Sequence, residues 1–449
     1  KSRLFMGLGM MVYDLIAFDR NKGLDACQNL ELTRIISAEQ VRKLATNLDT
    51  SNITGGASWF DAQVYNSERL VLAFIMSAQR AGADVFNYVR KKSYISVQGK
   101  ITGLIVNDHF TGQDVQINAK AVVDCCGPWA ARDQEFIGTT SAARQPKLMA
   151  RAVNLVLNRQ LSSCALGANT SATPDGNSRL MFIAPWRDGS IVGTWYYPQT
   201  AVDNDLTLSE DEMSQCWLQI NSVFPALQIT RADVTQVHHG LQPAEAAEKA
   251  QSEPQLWRHT RIINSTEGSI SGGLFWVLGV KLTTARATAE SVINKVAAYL
   301  HTDVSSSSTS VTALYGGDIK DKSRFEKECF NALLESLSAE TITRLIRNYG
   351  SNISTIIKLC ENDSSLMQFV PGVDDAIKAE LTFIIEHEMV YTLSDLLLRR
   401  TDIGSFACPK SETIEYCADV MAESLHWEGQ QRAENIDELK RKYPTWSCM

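Results

Sequence analysis

Two short apolar runs, each ending in a glycine turn that leads on to a helical pattern, limit most strongly what this chain can fold into. One is Ala119–Asp124, which stops at Cys125-Cys126-Gly127-Pro128-Trp129. The other is Gly273–Gly279, which runs through Val280-Lys281-Leu282-Thr283-Thr284 into a helical stretch over Ala285–His301. A buried parallel strand reads as a short continuous apolar run. Doubly wound sheets place ligand contacts where such a strand enters a glycine turn and then a helix.

The segments around them alternate in type. Ser67–Ala81 carries apolar residues at helical spacing and closes at Gly82. Strands are expected at 84–88, 94–98, 101–107 and 113–118, with turns at Gly99-Lys100 and Thr111-Gly112, which makes a small antiparallel meander. Further strands are expected at 152–156, 180–184 and 190–194, followed by a helix at 209–223. Ser305–Ser310 reads as a linker. Beyond it, 323–337, 338–349, 351–361, 374–400 and 411–426 all show helical periodicity.

A chain of 449 residues is too long for one ordinary core, so two or three domains are expected. The net charge of −8 gives no electrostatic reason to expect nucleic acid as a partner. The 10 cysteines include no CxxC pair, and free thiols in a reducing, cytoplasmic compartment are the simplest reading. No GxSxG, HExxH or P-loop is present. Adjacent strand histidines point to opposite faces, so His238 and His239 cannot chelate one metal together, and no metal is expected. Leu4–Phe18 is strongly apolar but shorter than the ~20 residues that span a bilayer, and Asp14 interrupts it. Gly7 and Gly9 begin a dinucleotide fingerprint that Val12 then breaks. A buried or surface-lying helix is expected there, with a membrane surface as the alternative contact.

Several longer motifs carry a family resemblance. Gly55–Val89, with Asp61-Ala62, Arg69-Leu70 and Asn87-Tyr88, resembles a segment of FAD-dependent glycerol-3-phosphate dehydrogenases. Val122–Ala130 resembles their strand ending in a Gly-Pro-Trp turn, and Arg179–Pro198 their Phe-x-x-Pro-Trp hairpin. Val277–Glu290 resembles their last flavin motif, while Arg347–Ile357 and Ile384–Gly404 resemble their helical C-terminal domain. Each motif is weak alone; six in the right order are specific.

The resemblance implies an α/β fold of mixed α+β character. Its parts would be a partial FAD-binding region with cap helices over 1–143, an antiparallel-sheet substrate domain over 144–260, a return to the doubly wound FAD-binding domain over 261–304, and a helical C-terminal domain over 311–449. It implies FAD as cofactor, held by Val89, Gly127, Gly279, Lys281, Leu282 and Thr283. Gly279 lacks a Cβ and allows close backbone approach to a flat ring. The helix start after it offers donors and a positive pole to reduced flavin. It further implies oxidation of glycerol 3-phosphate, with Lys281 stabilising charge, Arg258 holding the phosphate, His239 (or His238) acting as base, and quinone or oxygen as electron acceptor. For members of the membrane-associated kind, peripheral contact with the inner face of the cytoplasmic membrane follows.

Three departures qualify this. The turn that usually carries an arginine reads Gly240-Leu241-Gln242-Pro243, and the hairpin reads Gly193-Thr194-Trp195-Tyr196, so the substrate pocket is expected to differ. Arg151 is the candidate to replace the missing charge. No opening βαβ unit, which needs about 30 residues, lies in the chain, so an N-terminally truncated member that binds FAD poorly is expected. An amine or amino-acid oxidase of the related D-amino-acid oxidase group, and an inactive truncated homologue, stay open as alternatives.

Overall fold

A computed structural model describes residues 3–24, 29–51, 53–133, 148–170, 179–199, 206–245, 253–264, 272–279 and 281–448. The chain opens with helix α1 (Arg3–Ile16), strand β1 (Arg34–Ser37), helix α2 (Ala38–Leu44), strand β2 (Gly55–Ser58) and helix α3 (Ser67–Arg80). Ser37 and Gln40 cap α2 reciprocally, and the Asn66 side chain caps α3. One face of α1 lies on the β1–β2 ribbon, while Phe5, Leu8, Met11, Leu15 and Ile16 are exposed on the other. No helix among the described residues is long and apolar enough to cross a membrane.

The expected meander forms from β3 (Val89–Val97), β4 (Lys100–Asp108) and β5 (Asp114–Asn118), all antiparallel. Strand β6 (Val122–Asp124) follows it. The next four strands are β7 (Leu148–Leu157), β8 (Leu166–Asn169), β9 (Leu180–Trp186) and β10 (Gly189–Gln199), then comes helix α4 (Glu210–Val223). With β11 (Val234–Glu245) and β12 (Gln255–Leu256) these strands build an antiparallel sheet in the order β12-β11-β7-β10-β9-β8. Strict alternation along β7 sends Val153, Leu155 and Leu157 to one face, where they meet Met213, Cys216 and Ile220 of α4. The other face carries Asn154.

Strands β13 (Arg261–Asn264) and β14 (Leu274–Leu278) return the chain to β6, in the order β13-β14-β6. Strand β14 pairs with β6 in parallel and is buried along its length, as its apolar run requires. The meander joins this sheet where the Ile101 amide donates to the Gly272 carbonyl (3.0 Å) and the Val122 amide to the Gly273 carbonyl (2.8 Å). Gly273 sits at φ +87°, and a Cβ there would collide with the Ile101 carbonyl, so the junction requires glycine.

Helix α5 (Ala285–Tyr299) leads through the serine-rich stretch into the helical C-terminal domain. That domain comprises α6 (Lys322–Leu333), α7 (Ala339–Tyr349), α8 (Ile353–Asn362), α9 (Lys378–His387), α10 (Ser411–Leu425) and α11 (Gly429–Lys440). Its core is centred on Tyr349, Phe383, Leu393, Cys417 and Met421.

Several expectations need correction. Residues 84–88 form no strand; the Asn87 side chain donates to the Met389 carbonyl (2.9 Å) and the Tyr88 hydroxyl to Asp395 (2.6 Å), so this segment is committed to contacts with the C-terminal domain. The single helix expected over 374–400 is two pieces, α9 and a π-helical turn at Asp395–Arg400, with the Asp395 carboxylate accepting the Thr392 amide between them. Cys408 and Cys448 form a disulfide, with Cα atoms 5.4 Å apart, that fastens the tail beside β11. Free thiols are found at Cys125, Cys126, Cys164, Cys216, Cys329, Cys360 and Cys417.

Candidate functional site

The parallel register matches Val122 with Leu274 and Asp124 with Trp276, so β6 and the slightly longer β14 run out toward the same edge of their sheet. The turns that start after Asp124 and at Gly279 therefore emerge side by side, at the carboxyl ends of parallel strands. Gly127 adopts φ +58° and a Cβ there would meet nothing within 4 Å, so this turn faces open space. Gly279 adopts φ +73°, and a Cβ would make only ordinary contacts, 3.6 Å from the His259 carbonyl and from the Trp257 ring. Its backbone conformation favours glycine, while the protein's own atoms would leave room for a Cβ. The Thr260 hydroxyl donates to the Gly279 carbonyl (3.2 Å), which holds the 257–260 segment against the same turn.

Lys281, Leu282 and Thr283 are exposed at the entry to α5. No side chain caps that entry and no acidic residue lies in its first turn. The entry leaves amide donors and the positive end of the helix dipole open to an anionic ligand. On the other side, β3 opens at half-exposed Val89 and is tied to the end of β6 by the Lys91 ammonium, 2.6 Å from the Asp124 carboxylate. Trp129 offers a further exposed ring.

Arg258 is exposed in the 257–260 segment, and neither it nor Lys281 has an ion-pair partner among the described residues. The structure therefore brings Gly127, Gly279, Lys281, Leu282, Thr283 and Arg258 to one edge. It does not bring His239 there. His239 pairs with Val153 and lies on the α4 face of the six-stranded sheet, whereas His238 pairs with Asn154 on the open face. Both stand several residues up β11 from Pro243, whose carbonyl accepts the Trp257 amide. His238 is five residues away, roughly 17 Å at about 3.3 Å per residue. Burial lowers the His238 pKa, with the His239 charge adding to the effect and Glu68 opposing it. The His238 ring packs against the Trp186 ring at 6.3 Å.

Two other expectations about the pocket change. Arg151 cannot replace the missing charge, because it is buried on the α4 face, paired with Glu212 and bonded to the Thr207 carbonyl (2.8 Å). Trp195 is 2 % exposed and its indole donates to Gln219 (3.0 Å), so this departure alters the core and not the open face. Gln242 is exposed. What the sequence reading missed is Asp124, a buried carboxylate inside an apolar core, and the Asn154–Thr194 side-chain bond (2.8 Å) on the open face.

An open glycine turn, an uncapped helix start without acids, and exposed apolar groups at Val89, Trp129 and Leu282 fit a ligand that joins flat rings to an anionic bridge. The residues present fit a dinucleotide of the flavin type. Fold and site together define an α/β oxidoreductase with a helical C-terminal domain.

Comparison with known proteins agrees. Residues 11–294 match the family model described as FAD dependent oxidoreductase, and the chain belongs to that family. Residues 307–432 match the C-terminal domain of alpha-glycerophosphate oxidase. A glycerol-3-phosphate dehydrogenase of Synechocystis sp. is 27 % identical over 408 residues, covering 88 % of this chain and 70 % of that protein. An aerobic glycerol-3-phosphate dehydrogenase of Staphylococcus haemolyticus is 24 % identical, covering 95 % and 75 %. The crystal structure of glycerol-3-phosphate dehydrogenase from Bacillus halodurans, complexed with FAD, superposes with a TM-score of 0.71 at 24 % identity, over 91 % of this chain and 78 % of that one.

Proposed function

We propose that this FAD-dependent oxidoreductase oxidises sn-glycerol 3-phosphate to dihydroxyacetone phosphate. The observation that carries the proposal is that two exposed cations, Arg258 and Lys281, neither ion-paired among the described residues, lie with the open α5 entry at one strand edge. When bound, the flavin would supply the hydride acceptor for the secondary alcohol carbon, and the hydroxyl proton would leave to solvent at this exposed edge. Arg258 binds the phosphate with its planar fork of donors, and Lys281 adds a point charge. The amides at Leu282 and Thr283 favour negative charge at the α5 entry. The two matched regions support the FAD-binding and C-terminal parts of the division expected from the sequence. Electrons then pass to a quinone or to oxygen, and the exposed apolar face of α1 supports a peripheral contact with a membrane surface.

A second reading, oxidation of an amine or amino acid, is favoured by one observation. On the open face of the six-stranded sheet Gln242 is neutral, and Arg151 points the other way, so neither supplies a cation there. Anaerobic reduction of the bound flavin by glycerol 3-phosphate, set against glycerol and a D-amino acid, separates the two readings.

A further inference from the structure

One buried charge cluster at the strand edge has no part in the reading above. Asp124, the last residue of β6, is 4 % exposed in a core formed by Ile101, Val122, Leu274 and Trp276. Its Oδ2 accepts from the Lys91 ammonium (2.6 Å) and from the Tyr94 hydroxyl, and its Oδ1 accepts from the Cys126 amide (2.8 Å). Lys91 and Tyr94 belong to β3, just past Val89, and Cys126 belongs to the turn that leads to Gly127. One carboxylate thus links two chain segments that share no strand pairing. Burial alone would raise the Asp124 pKa, but the bonds from Lys91, Tyr94 and the Cys126 amide outweigh it and hold the group below the usual carboxylate range. A buried charge is costly unless it is paired and fully hydrogen-bonded, which this one is.

We propose that Asp124 is a positioning residue of the cofactor site: with Arg258 and Lys281 placing the reacting ring at the α5 entry, it sets the Val89 segment and the Gly127 turn at the separation needed to hold the other, adenylate half of FAD. A carboxylate suits the place because it only accepts, and three donors converge on it. An asparagine would turn its own N–H groups toward at least one of those donors. The proposal rests on the flavin reading of this edge.

The test titrates the 449-residue chain and its variants Asp124→Asn, Lys91→Met and Tyr94→Phe with FAD and with FMN, which lacks the adenylate, following flavin fluorescence. Charge-assisted hydrogen bonds of this kind correspond to roughly a ten- to hundredfold change in affinity. Asp124→Asn should weaken FAD by that factor and leave FMN unchanged. Lys91→Met should weaken FAD as well and add little in the double variant, because both remove one linkage. Hydrogen exchange at the Cys126 amide should accelerate in Asp124→Asn. Unchanged FAD affinity, or equal loss for FAD and FMN, overturns the positioning role and leaves the flavin reading intact. Should Asp124→Asn fail to fold, unchanged FAD affinity in both Lys91→Met and Tyr94→Phe has the same force. Binding of neither flavin by the parent chain overturns the proposal for this chain and leaves its place in the FAD dependent oxidoreductase family standing.

Discussion

Arg69 of α3 and Glu388 of the C-terminal domain, 319 positions apart, form a two-pronged ion pair at 2.7 and 2.9 Å, with both side chains buried. The same guanidinium donates to the carbonyls of Asn348 (2.6 Å) and Arg400 (2.9 Å) and lies 4.4 Å from the centre of the Tyr349 ring. Each guanidinium nitrogen of Arg69 is thereby engaged across the junction of two domains. Removing one partner of a buried pair leaves the other uncompensated, at a cost of about 3–5 kcal/mol. Arg69→Met should lower stability in urea by that amount. Arg69→Met with Glu388→Leu should recover much of it, because no unpaired charge remains. A double variant no more stable than the single one would show that the pair does not act as a unit.

His238 gives a pH dependence. Its pKa is depressed below the ordinary 6.5 by burial, so the folded state holds its proton less tightly than the unfolded chain does. The stability linked to this group is fully present above pH ~6.5 and is lost as pH falls toward the lowered folded value. His238→Asn should therefore flatten the stability profile as pH falls below about 6.5. Parallel profiles for parent and variant in denaturant titrations would contradict this.

Gly279 holds a backbone conformation at φ +73° that a β-branched residue adopts only with strain. Gly279→Val should therefore shift the turn and move the α5 entry, lowering FAD affinity in a fluorescence titration while far-ultraviolet circular dichroism stays nearly constant. Gly279→Ala should fall between the two. Full FAD affinity in the valine variant would mean that this turn does not face the cofactor.

Much of the scaffold was legible in the sequence. The alternation and turns of 89–118 announced a meander, and the apolar run at 274–278 announced a buried strand, because burial on one face or on both leaves a period in the chain. The polar helix Gly429–Lys440 was missed, since its two buried residues, Ile436 and Leu439, make too faint a stripe. The site was legible as positions but not as directions. That Arg151 and Trp195 point into the core beneath α4 depends on the register of β7 with β10 and β11, which no local pattern reveals. The Cys408–Cys448 link joins residues 40 apart, and only the packing of the tail against β11 brings them together.

Arg258 and Gln242 decide substrate charge. Arg258→Ala removes a charge-assisted bond worth ~1.5–3 kcal/mol, so kcat/KM for glycerol 3-phosphate should fall roughly ten- to a hundredfold. The effect on glycerol should be small. Gln242→Arg puts a cation where that sheet face carries a neutral side chain and should lower the KM for the phosphorylated substrate. Equal losses for both substrates in Arg258→Ala would show that this residue is not a phosphate ligand.

The most direct test of the account is reduction of the bound flavin in the absence of oxygen. The chain is saturated with FAD, mixed anaerobically with sn-glycerol 3-phosphate, and followed by the visible absorbance of oxidised flavin. Bleaching is expected, with one dihydroxyacetone phosphate formed per flavin, and no comparable bleaching with glycerol or a D-amino acid. Flavin that stays oxidised with glycerol 3-phosphate but is reduced by an amino acid or amine would contradict it.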